Sequence, residues 1–418
     1  MLAASGLARE TDAFVAVAQM MGPGPCRILG TAQSASPAMA AMANGAMAHA
    51  LDFEDTFEPA PGHPNASLVP ALLALAQMRG GVSGPRFLAA LAMGCELSCR
   101  MGLALRQPLE AGGWYPPPLL AGYGAALGSA HLLGLSAVQM TDALSLALCQ
   151  VTMPGEIKHS QRTVIRAIRE AFPAQAAVQS ALLAEHGVPG FEQPLEGEAG
   201  FFALYAGGNF APDVLQASLA GPLAIEQLTF KPWSSCRGTH PHIELALALR
   251  AEHGFCADDI VGIRVGVGPL QMMLVEPAER KRAPQVAIDA KFSIPFCTAA
   301  ALVTGSIDID SFDDGQLHSP AILALASRIT YIPGFAGAGG HGIGGSIEIT
   351  LADGRVLQAA QDFTRGCPEK PLSVAELVSK FVACATRAAV PLSQDAAQDL
   401  AGRILSLEQC DDVGALFA

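Results

Sequence analysis

Up to about residue 220 the apolar positions of this chain recur with helical spacing, and beyond it they begin to alternate. Segments 67–78, 85–100, 119–133, 137–150 and 174–186 carry Ala and Leu at i, i+3, i+4 and i+7, with glycine and proline between them. This pattern predicts an all-helical domain over residues 1–222. From 223 to 365, IEQLTFKPW, DIVGIRVGVG and SIEITLADGRVLQ show the period-two alternation of strands, the last folded back at Asp353-Gly354. Helical patterns at 241–253 and 288–305 lie between them, so this part reads as a smaller α+β domain, not a doubly wound sheet. Residues 366–418 return to helix in VAELVSKFVACATRAA and SQDAAQDLAGRILSL.

Composition narrows the class. At 418 residues, 51% hydrophobic and 15% charged, the chain is long enough for two cores and suits an oligomer that hides surface, with a homodimer as the expectation. A net charge of −13 with only 25 Lys and Arg argues against a nucleic-acid or anionic-membrane partner. The uncharged stretch 112–141 is broken by three prolines and several glycines, which fits a buried helix after a turn better than a membrane span. Residues 1–18 lack the basic start and apolar run of a secretory signal, so a soluble, cytoplasmic protein is expected. The ten cysteines have no CxxC and no zinc-like pairing with histidine, which predicts reduced, mostly buried thiols and no metal centre. Gly337, Gly339 and Gly342 match a dinucleotide fingerprint, but they lead into a strand instead of a helix, and a glycine-rich loop is the expectation.

The densest chemistry lies in AHALDFEDTFEPAPGHPNASLVPALLALA, residues 48–76. His49, Asp52, Phe53 and Thr56 fall at i, i+3, i+4 and i+7, which would set an imidazole, a carboxylate and a hydroxyl on one helical face. Pro59, Pro61, Gly62 and Pro64 then forbid helix and hold His63 on a stiff loop, before Asn65 or Ser67 caps the next helix with Pro70 in its first turn. Glu54, Asp55 and Glu58 are expected to order the loop.

These residues are where the chain resembles a known family. NGAMAHALDFEDT with the following HPNASLVPALLALA is similar to the signature of the MmgE/PrpD family, which includes 2-methylcitrate dehydratases, cis-aconitate decarboxylases and an iminodisuccinate epimerase. GWYPPPLLAGYGAALGSAHLLGLS, EAGFFALYAGG, FKPWSSCRGTHPHIELAL, KFSIPFCTAAALVTG and CPEKPLS extend the resemblance along nearly the whole chain. It implies a mainly α, two-domain fold in which residues 366–418 rejoin a discontinuous helical domain. An additional helix is expected before MLAASGLARETDAFVAVAQ. The resemblance also implies chemistry without metal or cofactor, in a cleft between the domains, by Asp52, Thr56, His63 and Lys231.

Two positions depart from that pattern. Tyr115 stands in GWYPP where relatives carry histidine, and a phenol with a reference pKa near 10 is a weaker acid-base switch than imidazole. Where relatives show KxxHxG, the resemblance aligns Arg166, Ile168 and Arg169 of VIRAIREAF, and Arg166 keeps a charge without titrating and would clamp a carboxylate. Lys158 and His159, close by in sequence, are expected on a solvated loop. After Lys231, Arg237 and His240 gather at the start of a helix near 239–241, a positive end suited to a dicarboxylate. Cys236 reads as inert packing. The expected function is proton abstraction next to a carboxylate of a small di- or tricarboxylic acid, foremost dehydration of a 2-methylcitrate-like hydroxy acid. Epimerisation of a dicarboxylate such as iminodisuccinate is the alternative, and a non-catalytic carboxylate-binding protein the second.

Overall fold

Glycines set how closely the helices of the amino-terminal region approach. In the computed structural model, which describes residues 1–60, 62–160, 162–336 and 343–417, the chain divides into two units, 1–228 with 373–418, and 229–372. The chain thus has a mainly α, two-domain architecture.

In the first unit the helix Pro116–Leu132 is the central element, packed by Pro64–Arg79, Gly84–Ala104 and Ala171–Glu185. Only Leu127 and His131 of its residues are less than fully buried. A Cβ on Gly124 would lie 2.0 Å from Ser98 Oγ and 2.2 Å from the Gly94 carbonyl, so only glycine allows this approach. Gly84–Ala104 is long and apolar enough to cross a membrane, and 56% of its apolar window is buried inside the protein. The helices Val374–Ala385 and Gln394–Leu405 belong to this unit. They are tied in where Ala389 N–H donates to Ser5 Oγ at 3.0 Å and Val390 N–H to the Gly30 carbonyl at 2.8 Å.

Several local expectations fail here for identifiable reasons. The helix Pro37–Ala50 stops before Asp52, so His49, Asp52, Phe53 and Thr56 do not share a helical face. Asp52 has φ +52, the single non-glycine residue with positive φ among those described, and Thr56 lies in a short strand, Asp55–Phe57. The next helix begins at Pro64 with His63 at its cap position, so Pro70 sits inside it, and neither Asn65 nor Ser67 caps it. Pro61 is outside the described residues.

The second unit is built on a four-stranded sheet: β1 Ile260–Val267, β2 Ile329–Pro333, β3 Gly345–Leu351 and β4 Val356–Gln361, in the order β2-β1-β3-β4. β1 and β2 run parallel with Ile263 opposite Ile329, and the other pairs are antiparallel. Gly354, at φ +89, makes the turn between β3 and β4. Ile263, Val265, Ile347 and Ile349 face a core that includes Phe296 and Leu302 of the helix Ile294–Thr304. Three differences from expectation stand out. IEQLTFKPW is extended only at Leu228–Phe230, after a 3-10 turn at Ala224–Gln227. The 288–305 helix is split, because Ser293 Oγ accepts from Phe296 N–H at 3.0 Å and starts a new helix with Pro295 in its first turn. β2 was not evident from alternation, its five residues being mostly exposed. The glycine pattern at 337, 339 and 342 lies outside the described residues.

The cysteines are free thiols, with 26, 95, 99, 297 and 367 buried and 149 and 256 exposed. Burial pushes the Cys26 thiol up to about 12, which makes it an inert donor to the Ala74 carbonyl at 3.1 Å.

Candidate active site

The chain leaves the Pro37–Ala50 helix through a left-handed residue, and that turn builds the site. Asp52 N–H donates to the His49 carbonyl at 2.7 Å, and its positive φ sends the backbone away from the helix axis. Aspartate tolerates this region better than most non-glycine residues, because its short polar side chain bonds locally. Lys380 holds the exit, its ammonium donating to the Phe53 carbonyl at 2.7 Å and lying 3.9 Å from the centre of the Phe53 ring.

Glu54, expected merely to order the loop, lies between two imidazoles. Its Oε1 is 2.7 Å from His49 Nδ1 and 2.9 Å from His63 Nδ1. His63 Nδ1 also lies 2.8 Å from the Asp55 carbonyl and 3.4 Å from Thr56 Oγ1. Because every neighbour at 3 Å or less is an acceptor, Nδ1 carries the proton on both rings by assignment from the network, and each Nε2 is left as a lone pair. The two rings are 5.5 Å apart, and Asp52 Oδ1 is 3.9 Å from His49 Nδ1. His49 is fully buried, and its Nε2 has no hydrogen-bond partner among the described residues. Burial, reinforced by the Arg169 charge, lowers its pKa, so it is neutral at pH 7. Burial also lifts Asp55 to about 6, against the opposing pull of His63, while Asn65 Nδ2 donates to its Oδ2 at 3.0 Å. A narrow crevice lined by Phe57, Ala60, Pro64, Ser98 and Leu120 opens beside His63.

Tyr115 occupies the cap position of the helix Pro116–Leu132, extended at φ −105 and ψ 108 as a residue before proline must be. Its N–H donates to the Met153 carbonyl at 2.9 Å, which fixes the ring's origin. Arg169 Nη1 donates to its hydroxyl at 3.0 Å, and Arg169 Nε donates to Glu170 Oε1 at 3.1 Å. Ser67, one turn into the helix that follows His63, donates its hydroxyl to Glu170 Oε2 at 2.5 Å. Arg169, Glu170 and Ser67 are all fully buried. Gly45 allows the His49 helix to press on this group, since a Cβ there would lie 2.6 Å from the Glu170 carbonyl. Burial by itself pulls the Arg169 guanidinium down, but Tyr115, Glu170, Glu54 and Asp52 together outweigh it and the net shift is upward. Arg169 therefore stays charged. Its Nη2 has no hydrogen-bond partner among the described residues, an omission that costs about 1–3 kcal/mol when a donor is buried.

Arg169 thus holds the contact with Tyr115, while Arg166 is half-buried one turn earlier in Ile165–Ile168. Lys158 is not a fully solvated loop residue: it lies 5.2 Å from the Tyr115 ring centre and pairs with Glu110 at 3.3 Å. Glu54, Glu170 and Ser67 were not among the residues singled out for the site, and of the aligned arginines Arg166, not Arg169, was expected to act there. The adjacent charges Arg169 and Glu170, directly before the charge-free stretch 171–184, were the available signal.

His49, Asp52 and Glu54 offer ligand atoms within 4.8 Å of one another, a set that could hold a metal ion. The neighbouring Arg169 guanidinium opposes a cation at that point.

The remaining expected residues lie in the second unit. Lys231 is fully buried. Arg237 donates through Nη2 to the Thr364 carbonyl at 2.7 Å and through Nη1 to the Arg365 carbonyl at 2.8 Å, so much of its fork is committed to backbone. His240 opens the helix His240–His253, as expected, and its Nε2 donates to the Ser235 carbonyl at 3.1 Å. Cys236 is half-buried, and Lys291 donates to Ser234 Oγ at 2.7 Å.

Comparison with known proteins gives this geometry its context. Residues 1–213 match the MmgE/PrpD N-terminal domain and residues 233–404 the MmgE/PrpD C-terminal domain. Cis-aconitate decarboxylase of Homo sapiens is 29% identical over 399 residues, covering 91% of this chain and 78% of that protein. A cis-aconitate decarboxylase-like protein of Aspergillus oryzae is 26% identical, covering 94% and 84%. The mitochondrial 2-methylcitrate dehydratase of Yarrowia lipolytica is 26% identical, covering 80% and 67%. These named relatives are lyases, and with both domains matched over most of its length, this chain belongs to the MmgE/PrpD family.

Proposed function

We propose that this protein is a lyase that moves a proton at the carbon beside a carboxylate of a small di- or tricarboxylic acid, and that its reaction is dehydration of a 2-methylcitrate-like hydroxy acid. One observation carries the reading: Glu54 Oε1 sits within 2.9 Å of two imidazole nitrogens in a buried setting. A carboxylate so placed keeps Nδ1 protonated and stabilises the imidazolium formed when Nε2 takes a proton, the logic by which an acid supports a histidine base.

In the forward reaction His63 Nε2 removes the proton next to the carboxylate, and the C–H electron pair becomes the new C=C bond as the C–O bond breaks. The departing hydroxyl takes the phenol proton of Tyr115 and leaves as water. Arg169 stabilises the phenolate, which regains a proton from solvent as His63 releases one. Asp52 adds negative charge beside His49.

Decarboxylation is the second reading, supported by the names of the human and A. oryzae relatives. It would break a C–C bond, release carbon dioxide and deliver one proton to the remaining carbanion. Proton NMR of the full-length protein with 2-methylcitrate, cis-aconitate and small dicarboxylates in deuterium oxide separates these. Loss of water supports dehydration, loss of a carboxyl carbon supports decarboxylation, and deuterium uptake with an intact skeleton means an epimerase. No conversion and no exchange with any of these acids would sink the enzymatic reading.

A further inference from the structure

The left-handed turn that ends the Pro37–Ala50 helix is held from the far end of the chain. Phe53 stands between Asp52, at φ +52, and Glu54, whose Oε1 meets both imidazole nitrogens. Lys380, in the helix Val374–Ala385, touches Phe53 twice: its ammonium donates to the Phe53 carbonyl at 2.7 Å and lies 3.9 Å from the centre of the Phe53 ring. That carbonyl belongs to the peptide plane from which Glu54 hangs, so a bond to it sets the direction in which the Glu54 side chain leaves the backbone. A non-glycine residue in the left-handed region persists only where its surroundings over-determine it. Here the Asp52 N–H bond to the His49 carbonyl at 2.7 Å fixes one side of the turn and Lys380 the other. The helix that carries Lys380 is itself anchored, by the capping box of Ser373 and Glu376 at its start and by the close approach of Gly6 just past its end, where a Cβ would lie 2.3 Å from the Arg387 carbonyl.

We propose that Lys380 is a positioning residue for the reaction, acting through Phe53 to keep Glu54 within reach of His49 and His63 at once. The inference rests on the reading in which Glu54 supports His63 as a base. One carboxylate oxygen has to stay within 2.9 Å of two ring nitrogens, and a displacement of about 1 Å is enough to lower a rate about 100-fold. The two contacts on Phe53 do different work. The hydrogen bond sets the peptide plane, and the ring sets the side from which the ammonium approaches it, a contact that needs a cation. The helix Val374–Ala385 is thereby part of the catalytic apparatus and not only of the helical core, although 327 residues separate Lys380 from Phe53.

The test uses the full-length protein, with kcat and KM measured on 2-methylcitrate or cis-aconitate, whichever is converted, and the ring N–H protons followed by NMR of samples carrying nitrogen-15 histidine. The chain has ten histidines, and His63→Gln identifies the signal of His63. Lys380→Met keeps the apolar stem without the ammonium. Its kcat should fall by about 10-fold or more with KM within about threefold, and the His63 Nδ1 proton should move to higher field as its bond to Glu54 lengthens. Lys380→Arg keeps a cation that donates to a carbonyl and stacks on a ring, and should recover kcat to within about threefold of wild type. If Lys380→Met does not fold, Lys380→Gln, whose neutral amide cannot hold the ring, takes its place with the same expectation. An unchanged kcat, a His63 signal that stays in place, or no recovery in Lys380→Arg overturns the proposal. Failure of the functional reading looks different: the wild type converts none of the acids, and the His63 signal alone then decides whether Lys380 positions Glu54.

Discussion

The guanidinium of Arg169 donates to the hydroxyl of Tyr115 at 3.0 Å, across 54 residues of sequence. The bond ties the start of the helix Pro116–Leu132 to a fully buried cation that Glu170 and Ser67 hold in turn. Tyr115, which stands in GWYPP where the family resemblance leads one to expect histidine, thus has its hydroxyl oxygen held by a buried guanidinium.

Tyr115→Phe should lower kcat by about 100-fold or more, the scale of a lost general acid. It also leaves Arg169 Nη1 unsatisfied, at a cost of about 1–3 kcal/mol in stability. Steady-state rates and thermal melting of the same sample check both, and an unchanged kcat would remove Tyr115 from the chemistry.

Asp52 can be separated into a backbone role and a charge role. Asn also tolerates positive φ, so Asp52→Asn should melt close to wild type while kcat falls by about 100-fold. Asp52→Ala should lose activity and about 1–2 kcal/mol of stability as well, since Ala is strained in the left-handed region. Full activity in Asp52→Asn would overturn its assignment.

Asp55 gives a pH signature. Its pKa rises from 3.8 unfolded to about 6 folded, so the native state binds more protons between those values. Its contribution is then present at low pH and is lost as pH rises through 6, with a full amplitude of about 3 kcal/mol. Asp55→Asn, which cannot ionise, should gain stability relative to wild type between pH 4 and pH 7.5. Denaturant midpoints at the two pH values measure this, and a gap that does not widen refutes it.

His242 gives the opposite sign in the other unit. Burial lowers it to about 4 from 6.5, and its Nε2 donates to the Gly266 carbonyl at 3.0 Å. The unfolded chain binds the extra proton first, so stability is whole above 6.5 and is lost as pH falls through 4, by about 3 kcal/mol. His242→Gln should flatten that acid limb when unfolding is followed by Trp233 fluorescence. An acid limb of the same steepness in the variant would exclude His242 as its source.

Much of the architecture was legible because it is periodic. The helical first part, the mixed second part and the helices of the tail follow from spacings of 3.6 and 2.0, while the return of the tail to the helical domain was implied by the family resemblance; Asp353-Gly354 marked its own turn. The errors fall where a single residue overrides the period. Asp52 ends a helix whose apolar pattern continues, and Ser293 with Pro295 restarts one. The exposed strand Ile329–Pro333 buries too little of itself to alternate.

By itself the sequence determined the fold class and the family, and it singled out a candidate region for the chemistry, because hydrophobic period and a dense motif are local properties. Only the tertiary structure decided that Glu54 lies between His49 and His63, that Arg169 and not Arg166 meets Tyr115, and that Ser67 and Glu170 hold the guanidinium. Those contacts join residues up to 103 positions apart. They depend on which side chains the packed helices bring within 3 Å in a buried setting, and no spacing along the chain encodes that distance.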